Sequence, residues 1–65
     1  MNARQIRILA LERAADTLYA DEGILQAALI ETYSEDEAAR IAAAVIRIAD
    51  QLARRADKLR NKQGR

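Results

Sequence analysis

The sequence predicts an all-α protein, a two-helix antiparallel hairpin that dimerises into a four-helix bundle. Three observations carry this. There is no Pro, only two Gly, and 32% of residues are charged, a composition suited to long helices. Apolar residues recur at spacings of three, four and seven on both sides of one strong helix-start signal. Finally, 65 residues without Cys or His leave no disulfide and no ordinary zinc site to staple a small core. Of the apolar residues, 15 are Ala, against seven Leu, seven Ile and one Val. A single chain of this size draws only about 3–5 kcal/mol from its core, so a second copy is the expected stabiliser.

In the first element, Ile8, Leu11, Ala15, Leu18, Leu25 and Leu29 form a heptad-like stripe. Glu22 falls on the stripe at its one poor place, with Gly23 beside it. A Gly inside a helix costs about 1 kcal/mol against Ala, which a packed helix absorbs. One helix over about 3–32, bent near Gly23, is favoured. The alternative is a break at Ala20–Gly23 with Asp21 capping a short second helix. Thr32, Tyr33 and Ser34 are the expected turn.

The last element opens on Ser34-Glu35-Asp36-Glu37. Ser34 can accept from the Glu37 N–H while the Glu37 carboxylate reaches back to the Ser34 N–H, a capping box. The three acids also suit the positive end of the helix dipole. From there Ala38, Ile41, Val45, Ile48, Leu52 and Leu59 line one face. Ala42, Ala49 and Ala56, seven apart, let a neighbouring helix come close. Asp36 to Arg40 and Asp50 to Arg54 are i,i+4 pairs with the acid first, the better orientation. The helix is expected over about 35–61, with Gln63, Gly64 and Arg65 frayed.

Each helix would be roughly 40–45 Å long, and a lone hairpin leaves one side of its seam wet. Pairing two hairpins covers it, with Leu11, Leu18, Leu25, Leu29, Ile41, Val45, Ile48, Leu52 and Leu59 as the dimer core. This layout resembles the Rop family of dimeric helical hairpins. The likeness is one of architecture, since the RNA-contacting positions of that family have no counterpart here.

Net charge +1 hides segregation along the chain. Residues 1–15 sum to +2, residues 16–39 to −7 without a single Lys or Arg, and residues 40–65 to +6. A hairpin places the termini at a basic end and the turn at an acidic end. Helix-dipole preference explains part of this. Seven acids without a counter-charge exceed what capping needs, and such a surface repels nucleic acid and attracts basic proteins.

Catalysis is not expected. Without His or Cys there is no imidazole base and no thiolate, and the lone Ser34 is accounted for by its cap. Glu12 and Asp16, four apart, read as a solvated face rather than a cation site. No cofactor or metal is implied. The longest apolar run, Ile41 to Ile46, is too short to span a bilayer, no secretory leader is recognisable, and the cytoplasm is the expected compartment.

Three function classes follow. The favoured one is a small inhibitor or adaptor that grips a basic protein surface, such as the DNA-binding domain of a regulator, through Asp21, Glu22, Glu31, Tyr33, Glu35, Asp36 and Glu37. Tyr33 is the candidate anchor, because Tyr brings contact area at little entropic cost. In length and helical layout the chain resembles the anti-quorum-sensing proteins of Pseudomonas phages, and that resemblance implies a phage-encoded inhibitor of a host regulator. The second class is nucleic-acid binding through Arg4, Arg7, Arg47, Arg54, Arg55, Lys58 and Lys62, although no aromatics interleave with these bases. A ribbon-helix-helix version would need Gln5-Ile6-Arg7-Ile8 as a strand, an alternation only four residues long. The third is an assembly module whose dimer surface is its whole role.

Overall fold

The computed structural model describes residues 1–63. These form three helices, α1 (Ala3–Ala20), α2 (Glu22–Ile30) and α3 (Glu35–Gln63), with no strand among the described residues. The chain is all-α as expected, but the expected single helix over 3–32 is two, so the two-helix hairpin is corrected to three helices. Both α1 and α2 pack along α3.

Helix α1 starts on a second capping box. The Asn2 side chain accepts from the Gln5 N–H at 2.8 Å, and the Gln5 side chain accepts from the Asn2 N–H at 2.8 Å. Its end comes at Asp21, in αR conformation, whose N–H still donates to the Thr17 carbonyl at 3.2 Å. The Asp21 carbonyl in turn accepts from Leu25 at 2.7 Å and Ile24 at 3.1 Å. The backbone therefore steps rather than turns. Asp21 is the N-cap of α2 by position, but its side chain makes no capping bond.

The reason for the step is Glu22. It follows the buried Ile8 and Ala15 at seven-residue spacing, so an unbroken helix would press its carboxylate into the seam against α3. Burying an unpaired charge is costly. With the break, Glu22 is exposed and borders a surface groove with Gln26, Ala39, Ala42, Ile46 and Arg47.

Helix α2 buries no residue and closes in a turn over 31–34. The Leu29 carbonyl accepts from Thr32 at 3.0 Å and from Tyr33 at 2.8 Å. Ser34 then caps α3 as its spacing predicts, with Glu37 N–H to Ser34 Oγ at 3.1 Å and Ser34 N–H to Glu37 Oε1 at 3.1 Å. Helix α3 runs on to Gln63, two residues past the expected end. The expected fraying of Gly64 and Arg65 lies outside the described residues.

Among the described residues the buried ones are Ile8, Ala15, Ala38, Ala42, Ala49 and Ala56. The seam within one chain is thus almost entirely alanine, and the larger aliphatics flank it. The result is a rod of 48 × 17 × 14 Å with a radius of gyration of 14.8 Å. A compact domain of this length would have a radius of about 11 Å.

Candidate protein-interaction surfaces

The alanine seam divides the rod into two long flanks, one bearing a row of aliphatics and the other bearing polar ties together with Leu9 and Ile46. In an antiparallel helix pair, equal offsets from the seam point to the same side, because the two-fold relating the helices runs normal to their common plane. On α3, Val45, Leu52 and Leu59 each follow a seam alanine by three residues, and Ile41 and Ile48 each precede one by a single residue. On α1, Leu11 and Leu18 follow Ile8 and Ala15 by three. Helical geometry puts these on one flank, and Leu25 continues the row on α2. All of them stay partly exposed, and Ile48 keeps 49% of its surface in solvent.

The opposite flank is tied by polar groups. Glu12, Tyr19 and Arg60 each follow a seam residue by four. Arg60 Nη2 contacts Glu12 Oε2 at 2.6 Å, and the Tyr19 hydroxyl donates to Asp50 Oδ1. That bond to Asp50, helped by desolvation and by the negative carboxylate, pushes the Tyr19 hydroxyl above its ordinary pKa. Asp50 therefore serves Tyr19 rather than the expected ion pair with Arg54, whereas Asp36 and Arg40 do pair, at 3.1 Å. The latter pair is fully exposed and contributes little.

The acidic end is narrower than the sequence alone suggests. Glu31, Tyr33, Glu35, Asp36 and Glu37 come together at the turn, all exposed, with Tyr33 at 44%. Asp21 and Glu22 sit at the helix break, about 15 Å back along the rod at 1.5 Å per residue, and do not join them. The Glu37 carboxyl is held below its usual range by the bonds it receives from the Ser34 backbone and side chain.

Toward the opposite end Arg4, Arg7, Lys58 and Lys62 are exposed near the termini, while Arg54 and Arg55, also exposed, lie roughly 15 Å or more back from Arg4 along the rod. Arg47 lies apart from them, beside the groove that holds Glu22 and Gln26. A shallow concavity of about 460 Å³ at this end is lined by Met1, Gln5, Ile8, Leu9 and Arg60. Among the described residues no group of three or more acids stands where it could hold a metal. No helix there is long and apolar enough to cross a membrane.

Compared with protein-family models, with curated proteins and with solved structures, the chain matches none. Sequence reasoning missed the Asn2 cap, although Asn-x-x-Gln before Ile6 is its signature. It also missed both cross-helix ties. Those have no local signal, since their partners are 31 and 48 residues apart.

Proposed function

We propose that this chain is a non-catalytic protein-binding module, a dimer of three-helix rods whose acidic turn grips a basic protein surface. The DNA-binding domain of a transcriptional regulator is the kind of target it suits, with carboxylates standing where phosphates would bind. What supports the reading is the cluster at the turn, where exposed Glu31, Glu35 and Asp36 surround an exposed Tyr33. An aromatic anchor ringed by one sign of charge combines a hot-spot side chain with electrostatic selection of the partner. The long aliphatic flank supports the dimer, because a monomer would leave that row wet.

Capture by the tagged protein, with nuclease present, tests the reading. Protein retained by the wild type and lost with the double variant Glu31→Lys and Glu35→Lys supports it. Glu37 is spared because its carboxylate caps α3. Equal retention by both forms would sink the acidic grip and leave an assembly role. Material that disappears on nuclease treatment would move the function to the basic end.

A further inference from the structure

We infer that the aliphatic flank is covered by a second copy of this chain lying in the opposite direction, so that each end of the bundle joins one copy's acidic turn to the other's basic termini. This rests on the dimer proposed above and adds its orientation.

The exposed area fits a second copy. The chain presents 5068 Å², where a compact monomer of its mass presents about 4,200 Å². The excess is close to the roughly 800 Å² that each partner of a stable interface buries.

Charge selects the orientation. The half of the rod toward the turn, residues 19–49, holds six acids and two bases, net −4. The other half, residues 1–18 and 50–63, holds eight bases and four acids, net +4. Two copies with turns together would have ends of −8 and +8. Two copies in opposite directions have ends that cancel. Helices about 10 Å apart are separated by little more than the Debye length of about 8 Å at physiological salt, so the difference is felt and grows as salt is lowered.

The register of the flank agrees. The pairs Glu12–Arg60 and Tyr19–Asp50 show that levels on α1 and α3 sum to about 70. With turns together, Arg7 of one copy would therefore come level with Lys62 of the other, two like charges on the same rim. With opposite directions and like helices adjacent, α3 crosses its counterpart near Ile48. Lys62 then comes level with Glu35 and Asp36 of the second copy, and Ile48 meets its own equivalent. It also brings like charges level, Arg40 with Arg55 of the second copy and Asp21 with its counterpart, all of them exposed. The proposed partner narrows as a result. It must fit an acidic, Tyr-bearing centre with basic shoulders, so its basic patch is bordered by acids.

The chain has no Cys, so Thr32→Cys at the exposed turn takes a single spin label per copy. Pulsed dipolar spectroscopy on the full chain should give a label separation close to the 48 Å length of the rod. A separation near 20 Å or less means turns together and overturns the orientation while keeping the dimer. No dipolar signal at concentrations where light scattering reports monomer overturns both. As an independent check, Ile48→Cys should form a disulfide with its own copy on mild oxidation. Absence of that cross-link in a dimer would also overturn the proposed direction.

Discussion

At the scale of single residues, two side chains report on the fold through their protons. Tyr19 is tied to Asp50 across the rod, and its raised pKa means that the folded state holds this proton more tightly than the unfolded chain. The stability it contributes is complete below the ordinary phenol value and is lost as pH rises through the higher folded value. In a Tyr33→Phe background, ultraviolet titration should place the Tyr19 midpoint above 10.0, and Asp50→Asn should bring it down. Glu37 works in the other direction. Its pKa is lowered by Ser34, so its contribution is present above the ordinary carboxylate value and disappears as pH falls through the lower folded one. Ser34→Ala should cost about 1 kcal/mol as an N-cap loss. Chemical denaturation should show part of that difference vanish in acid, where the wild-type cap is itself weakened.

At the scale of elements, α2 is the least secured piece. It buries nothing, its N-cap makes no side-chain bond, and Gly23 stands in its first turn. A Cβ at Gly23 would meet nothing within 4 Å, and the backbone there has no positive φ. Gly23→Ala should therefore raise stability by about 0.5–1 kcal/mol, read from the thermal midpoint. Ala49→Leu should do the reverse, since Ala49 is fully buried and overpacking costs roughly 1–3 kcal/mol. The contrast explains how much was legible in the sequence. The Ser34 box and the periodicity of α3 are local signals, and both gave the right element. The stripe across Glu22 reads as continuous because a packed helix absorbs the cost of about 1 kcal/mol that Gly23 brings. In an unbroken helix the Glu22 carboxylate would be pressed into the alanine seam of α3, a long-range circumstance that no spacing within the first helix reveals. The acidic cluster was legible as composition, but its split into a turn group and the distant Asp21 and Glu22 required the axial positions.

At the scale of the whole molecule, the rod holds all its large aliphatics but Ile8 outside its buried seam, so folding and association are one process in the proposed dimer. The thermal midpoint should rise with protein concentration, and Leu52→Asp should abolish that dependence by placing a charge on the shared flank. A midpoint independent of dilution would mean a self-sufficient monomer. The alanine seam has a different consequence. Alanine has no rotamer to lose on burial, and the repeats at 42, 49 and 56 are alike. Such a seam fixes how near two helices come while saying little about where along each other they stop. Register is information, and in this chain it is written on the polar flank, in the pairing of Tyr19 with Asp50 and of Glu12 with Arg60. Those two ties act as the index marks on a smooth scale.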